Sequence, residues 1–236
     1  MDSDTQKLTS ALADPTRFSI YQFVASQKNA VTVQEIADQF TIHPNVARLH
    51  LTKLEDVDLL KSISDKSGKG GRPSRLYSLS DQVVNLQFPP RDYRFLADIA
   101  IEALLSLGPA GEAALVTMGH RMGIEAAKRA MMERPLNPKE DLEKTLQHVE
   151  RLVIAQGLKP EIELLDTQTL RFRVYNCTFM ESTKRFSGMV CKMHNALLHG
   201  IFEAYFGEIE LKEEESMLSG CKSCTYTVFR LAEPVQ

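Results

Sequence analysis

The feature that most constrains this fold is a series of helix-start signals that ends in a basic, glycine-rich hairpin. Asp14 before Pro15 is typical of an N-cap and a first helical residue, and it opens the helix PTRFSIYQFVASQ. Thr32, with Glu35 three residues later, forms a capping-box pattern ahead of VQEIADQF. Pro44 begins a third helix, PNVARLHLTKLEDVDLL. Short helices in this order, followed by the β-like runs KSIS and RLYSLS, predict a winged helix-turn-helix domain.

The third helix has the amphipathic pattern of a DNA-reading helix. On a helical wheel we predict a core-facing side of Val46, Leu49, Leu54 and Val57. The opposite side carries Asn45, Arg48, Thr52 and Glu55. Asn and Arg near a helix N-terminus can make bidentate contacts with adenine and guanine edges in a major groove. We therefore predict that Asn45, Arg48 and Thr52 contact DNA.

The hairpin after this helix concentrates positive charge. Residues 61–77 hold five basic residues against one acid, a local charge of +4 in a chain whose net charge is −3. A basic loop alone is more often a solvated surface, but its place after the capped helices favours a wing that meets phosphates. We predict phosphate contacts from Lys69, Arg72 and Arg75.

The first 80 residues resemble the winged helix-turn-helix of ArsR-type bacterial repressors. LADPTRFSIYQFV, TVQEIADQF and HLTKLEDVDLL carry the similarity. Asp58 stands where that family usually has Gly, at a position that requires a left-handed C-cap. His50 falls on the buried side of the wheel, where we expect a satisfied, half-buried imidazole and not a metal ligand. His43 is expected to be a plain residue before the helix.

The remaining chain first becomes helical and then alternates. YRFLADIAIEALLSLG is apolar over most of its circumference, so this helix is buried on several sides or pairs with a second copy of itself. Two helices follow, then a hairpin, one long helix over residues 183–207 and two strands, EIELKEEESML and SCTYTVFRL. We predict an α+β protein with a DNA-binding domain, a helical dimerisation region and a sensor domain with a small antiparallel sheet. These segments are residues 1–86, 87–158 and 159–236.

All of the cysteines lie in one short part of the chain. They are Cys177, Cys191, Cys221 and Cys224, and Cys221-x2-Cys224 has the spacing of a metal knuckle. His194 follows Cys191 by three residues and shares its helical face. Cysteines of this kind also pack as small buried hydrophobes, but their concentration favours a bound centre. The ligand types do not separate an iron–sulfur cluster from zinc.

This cysteine region resembles that of SufR-type iron–sulfur-sensing repressors. YNCTFMESTKRFSGMVC and GCKSCTYTV carry the resemblance. It implies a homodimeric repressor whose iron–sulfur cluster sets its affinity for operator DNA. Cys177, Cys191 and Cys224 fall on the pattern, and the fourth ligand is Cys221 or His194. Zinc is the alternative cofactor.

Composition and missing motifs narrow the function further. No apolar run resembles a secretory signal or a membrane span, so we expect a cytoplasmic protein without a membrane partner. No phosphate-binding loop, HExxH or nucleophile elbow is present, and the acidic EEESML before Cys221 should raise thiol pKa values. We expect a DNA-binding regulator and not an enzyme. The alternative is a winged-helix repressor with structural zinc, or no metal, that senses a small molecule or peptide.

Overall fold

The structure divides the chain into two units, residues 1–91 and 92–236. The computed structural model describes residues 3–27, 29–65, 74–84, 86, 89, 91–135, 141–186 and 188–231. Each unit combines helices with a small antiparallel sheet, which confirms the predicted α+β class. The sequence predicts a helical region separate from the sensor domain, whereas the structure groups the helices after residue 92 with the C-terminal sheet.

The N-terminal unit contains the predicted helices and hairpin. Its helices are α1 (Ser3–Leu12), α2 (Pro15–Ser26), α3 (Val33–Phe40) and α4 (Pro44–Glu55). Its strands are β1 (Val31–Thr32), β2 (Leu60–Asp65) and β3 (Ser74–Leu79), in the antiparallel order β1-β3-β2. The antiparallel pair β2 and β3 forms the described part of the wing.

Side-chain caps fix the starts of α2 and α3. The Arg17 amide donates to the Asp14 carboxylate at 2.8 Å, and the buried Arg17 guanidinium donates to the Ala11 carbonyl at the end of α1 at 3.0 Å. The Asp14-Pro-Thr-Arg17 motif therefore closes the corner between two helices. At α3 the Glu35 amide donates to Thr32 Oγ1 at 3.1 Å, while the Thr32 amide donates to Glu35 Oε2 at 2.6 Å, which confirms the capping box.

The C-terminal unit packs its helices on a sheet of β4, β5, β6 and β7. The helices are α5 (Tyr93–Ser106), α6 (Pro109–Glu133), α7 (Leu142–Ala155), α8 (Met180–Arg185) and α9 (Met189–Phe206). The strands are β4 (Pro160–Leu164), β5 (Thr169–Val174), β6 (Ile209–Glu215) and β7 (Cys224–Arg230), in the antiparallel order β4-β5-β7-β6. One predicted helix is divided into α8 and α9, because Gly188 has a φ of 75° and cannot continue a right-handed helix. Among the described residues no helix is long and apolar enough to cross a membrane.

Three glycines bring α6 and α9 into backbone contact. A Cβ atom on Gly123 would lie 2.1 Å from the Leu197 carbonyl oxygen, and one on Gly200 would lie 2.2 Å from the His120 carbonyl oxygen. At Gly119 the corresponding distance, to the Met193 oxygen, is 2.4 Å. Because no side chain fits at these points, the two helices cross at the closest separation that their backbones allow. The hydrophobic pattern of the two helices does not predict this crossing.

Asp58 occupies the left-handed position that the sequence predicts. Its φ is 57°, its amide donates to the Glu55 carbonyl, and the Leu59 amide donates to the Leu54 carbonyl, both at 3.0 Å. These two bonds form a Schellman motif at the end of α4. Replacing Asp58 with Gly removes the conflict between its Cβ and the backbone, so we expect Asp58→Gly to raise the free energy of unfolding by about 0.5–1 kcal/mol.

The matched control is Asp56→Gly, two residues earlier. Asp56 has right-handed helical dihedrals, φ −61° and ψ −18°, where Gly adds only unfolded-state entropy. We expect this variant to lose about 0.5–1 kcal/mol. Thermal and urea unfolding of the two variants measure the difference, and equal shifts of the same sign would contradict the assignment of strain to Asp58.

Candidate DNA interface and cysteine region

The recognition helix α4 buries a different side from the one predicted. Ala47, Leu51 and Leu54 are fully buried, whereas Val46 and Leu49 are 41% and 54% exposed. The prediction is therefore correct for Leu54 and wrong for Val46 and Leu49. The small side chain of Ala47 lets α4 pack closely in the core of the N-terminal unit, and a wheel centred on the larger residues misses this contact.

The outward side of α4 presents polar and apolar groups together. Asn45 and Arg48 are exposed and Thr52 is half-buried, next to the exposed Val46 and Leu49. Arg48 donates from Nη1 to Asn45 Oδ1 at 3.1 Å, which aligns the two side chains and leaves further guanidinium donors. Amide and guanidinium groups can contact base edges, and apolar side chains can contact thymine methyl groups. This side therefore has the groups needed to contact bases in a major groove. Val46 and Leu49 belong to it as well, although the helical wheel places them in the core.

The wing is tied to α4 by a charged contact. Arg75 on β3 pairs with Glu55 Oε2 at 3.2 Å, and Ser62 Oγ on β2 donates to Glu55 Oε1 at 2.6 Å. Glu55 therefore joins the recognition helix to both strands of the wing, a role the sequence analysis did not foresee. Lys69 and Arg72, the other two predicted phosphate contacts, lie outside the described residues.

The two histidines of this unit have distinct environments. His43 caps α4, because its Nδ1 accepts the Asn45 amide at 3.2 Å. His50 is half-buried, as expected, and burial lowers its pKa. Its Nδ1 is shielded from solvent and has no hydrogen-bond partner among the described residues. The expectation of a satisfied imidazole is therefore wrong for this nitrogen.

In the C-terminal unit, three of the four thiols lie near one another. Cys177 follows β5, Cys191 lies in the first turn of α9, and Cys224 begins β7 opposite Val174. Burial raises the pKa of Cys177 to about 11, and the nearby thiols of Cys224 and Cys191 add to that rise. Burial also raises the pKa of Cys191, with added effects from Glu213 and Cys224. The fold therefore brings Cys177, Cys191 and Cys224 into one electrostatic neighbourhood.

His194 belongs to this neighbourhood. Its Nδ1 lies 3.7 Å from Cys177 Sγ, and its ring packs edge-on against Phe179 with 5.1 Å between ring centroids. Burial lowers the pKa of His194 to about 4, so its imidazole is neutral at pH 7. A neutral imidazole is the form that ligates a metal.

Cys221 is set apart from the other cysteines. It is exposed, and its charge does not contribute to the raised pKa values of Cys177 or Cys191. Cys224, by contrast, is half-buried and its sulfur accepts the Met217 amide at 3.3 Å. All four cysteines are free thiols. Of the two candidates for a fourth ligand, His194 is the one that lies beside the other donors.

The spacing of these donors bears on which centre would fit. Among the described residues, no three ligand atoms of the cysteine region lie within 4.8 Å of one another. A single zinc ion with Zn–S bonds of about 2.3 Å requires sulfur atoms about 4 Å apart. Thiolates that bind different irons of an iron–sulfur cluster lie farther apart than two ligands of a single ion.

A second group of metal-ligand side chains was not predicted. His120 on α6 and His199 and Glu203 on α9 have ligand atoms within 4.8 Å of one another. The four-residue spacing of His199 and Glu203 places them on one helical face and was available from the sequence. The contribution of His120 depends on the α6–α9 crossing, so it could not be predicted from the sequence.

Comparison with known families identifies the N-terminal unit. Residues 12–63 match the sequence model of a helix-turn-helix domain, a stretch that runs from the end of α1 into β2. This unit is a helix-turn-helix domain of the type found in DNA-binding transcription regulators. No curated protein sequence matches the chain.

Comparison with solved structures gives only distant similarities. A trafficking protein particle complex subunit 3 from Naegleria fowleri, bound to palmitic acid, is 14% identical at a TM-score of 0.42, over 61% of this chain and 99% of its own. The phenol-responsive sensory domain of the transcription activator PoxR is 17% identical at a TM-score of 0.45, over 78% of this chain and 89% of its own. An H-NOX domain from Shewanella oneidensis is 13% identical at a TM-score of 0.43, over 61% of this chain and 78% of its own. Similarities at this level do not identify a function.

The exposed position of Arg48 leads to a test of the DNA interface. We expect Arg48→Ala to weaken binding to the DNA upstream of the protein's own gene by about 1–3 kcal/mol, because a base-reading guanidinium is lost. Binding to unrelated DNA should change much less. Fluorescence anisotropy at fixed salt measures both affinities.

Lys7→Ala serves as the charge-matched control. Lys7 lies on α1, pairs with Asp4 and lines a cleft with residues 56–58 after the C-terminal end of α4. Lys7→Ala removes the same charge as Arg48→Ala and leaves the N-terminal half of the recognition helix unchanged. Equal losses for both variants on both DNAs would show that Arg48 acts only through its charge.

Proposed function

We propose that this protein is a dimeric transcriptional repressor whose DNA affinity is set by an iron–sulfur centre in its C-terminal unit. The helix-turn-helix domain supplies DNA binding. The observation that carries the sensing proposal is the grouping of three thiols and a buried, neutral imidazole within the C-terminal unit. Cys177, Cys191, Cys224 and His194 would hold the centre.

The electrostatics of these thiols support a cationic occupant. Burial and mutual proximity keep Cys177 protonated at pH 7, since three neighbouring thiolates would repel one another in a poorly solvated site. A cation reverses this preference and releases the thiol protons, so its affinity should rise with pH. An iron–sulfur cluster would add sensitivity to oxygen and to iron supply.

Helix α5 supports dimerisation because it turns a charged residue toward its own unit and apolar residues toward solvent. The side of α5 that faces its own unit carries buried Asp98, which pairs with Arg185. The opposite side carries the exposed apolar residues Tyr93 (64%) and Leu96 (62%), and Leu107, directly after the helix, is 63% exposed. An apolar helix side of this size normally meets a partner, and a second copy of α5 would fit it. Two paired chains could then present recognition helices to half-sites about 34 Å apart.

A physical route joins the cysteine region to α5. Helix α8 lies in the chain between Cys177 and Cys191, and its last residue, Arg185, donates to Asp98 and, at 2.8 Å, to Glu102. A change in the positions of the two cysteines would therefore move α8 and, through Arg185, reorient the dimerisation helix. Such a shift between two dimer geometries would change the fit to two half-sites.

A pocket beside α6 and α9 supports a second candidate function. It has a volume of about 510 Å³ and is lined mainly by apolar groups, including Val116, Ala196 and Leu211. A regulator with a structural metal could bind a small effector here. The composition of the purified protein distinguishes the two functions.

Metal and sulfide analysis tests the sensing proposal. We expect protein purified without oxygen to contain iron and acid-labile sulfide, and Cys177→Ser to lose most of both. Cys221→Ser, which changes the exposed thiol, should retain them and is the matched control. A colourless protein that contains zinc and no sulfide would contradict the proposal. Operator affinities of loaded and emptied protein should differ at least tenfold, about 1.4 kcal/mol.

A charge on the exposed side of α5 tests the dimer. Leu96→Glu should convert the protein to a monomer, because a carboxylate would be buried without a partner between the two helices. Met132→Glu introduces the same charge at a residue of α6 that is 82% exposed and should leave the dimer intact. Sedimentation velocity measures both. A dimer that persists in Leu96→Glu would exclude this side of α5 as the interface.

A further inference from the structure

The α6–α9 crossing places two histidines and a glutamate together at its edge. His120 follows crossing residue Gly119 on α6, and His199 precedes crossing residue Gly200 on α9. Because the backbones touch at these glycines, the imidazole from one helix reaches the side chains of the other. Glu203 lies one turn after His199 on the same side of α9.

The three side chains converge on a single carboxylate oxygen. His120 Nε2 lies 2.5 Å from Glu203 Oε2, and His199 Nδ1 lies 3.4 Å from the same oxygen. The ring centroids of the two histidines are 5.3 Å apart. All three ligand atoms lie within 4.8 Å of one another, close enough for small side-chain rotations to bring them onto one metal ion.

A hydrogen bond between the helices explains only part of this arrangement. His120 and Glu203 satisfy each other, but His199 Nδ1 is buried and makes no hydrogen bond to a described residue, although it lies 3.4 Å from Glu203 Oε2. A buried ring nitrogen that makes no hydrogen bond has a desolvation cost that a bound cation would remove. We propose that His120, His199 and Glu203 bind a divalent transition-metal ion that bridges α6 and α9.

The donor set defines the class of ion and its accessibility. Two imidazoles and one carboxylate suit Zn²⁺, Fe²⁺, Co²⁺ and Ni²⁺, and they are harder donors than the thiols of the cysteine region. The three side chains are each about one-third exposed, so an ion can reach them from solvent. Both histidines line the 510 Å³ pocket, and a three-ligand site leaves a coordination position open toward it.

Cobalt binding tests this site separately from the cysteines. The full-length chain, stripped with chelator and fully reduced, is titrated with Co²⁺ under equilibrium dialysis and visible spectroscopy. Thiolate ligands give strong charge-transfer absorption, whereas nitrogen and oxygen ligands give only weak d–d bands. We expect one Co²⁺ bound with the weak bands alone, in addition to any bound by thiols.

Two substitutions of the proposed ligands should remove that ion. Glu203→Gln preserves size and hydrogen bonding, and His199→Ala removes the ring nitrogen that makes no hydrogen bond. Each should lower the affinity of this Co²⁺ at least about a hundredfold, more than loss of an outer-shell group does. Glu210→Gln, at an exposed carboxylate on β6, should have no effect.

Unchanged Co²⁺ binding in both variants, or metal absorption of the thiolate type only, would overturn the site and leave the His120–Glu203 pair as a simple interhelical contact. Neither result would affect the iron and sulfide analysis, so this site and the sensing proposal fail independently.

Discussion

The C-terminal unit depends on the backbone contact between α6 and α9. Because Gly119, Gly123 and Gly200 leave no room for a side chain, the two helices cannot separate, rotate or slide without losing contact along the crossing. The other side of α9 packs Leu198, Ile201 and Phe202 onto the sheet. Helix α9 is thus fixed between a helix and a sheet, and it carries both Cys191 with His194 and His199 with Glu203 as rigidly placed donors.

Local capping chemistry made the N-terminal unit predictable. Asp14, Thr32 and Pro44 each begin a helix through interactions within three residues, so the sequence contains all the information that those helix starts require. The inward side of α4 was harder to predict. It is decided by how closely Ala47 approaches the neighbouring helices, a tertiary property that hydrophobicity alone does not report.

The candidate sites show the same division between local and tertiary information. The cysteine cluster is visible in the sequence because its residues are rare and concentrated, but the exposure of Cys221, which the other three cysteines do not share, is a property of the fold. The His120 site escaped prediction because its donors are about 80 residues apart and meet only through the helix crossing. A Gly119-x3-Gly123 spacing was the available signal, since small residues four apart permit close helix packing.

The rigidity of α9 determines where a regulatory movement can occur. If Cys177 and Cys191 change their separation when a centre binds, α9 resists displacement because it is held against α6 and the sheet. The shorter α8 has six residues, follows the Cys177 segment and ends at the interruption near Gly188, so it is the element that can move with less loss of packing. Its only described ion pairs are those of Arg185 with Asp98 and Glu102 on α5. A movement of α8 would thus displace α5, the exposed apolar helix that follows the DNA-binding unit in the chain, and would leave the packing of α9 unchanged.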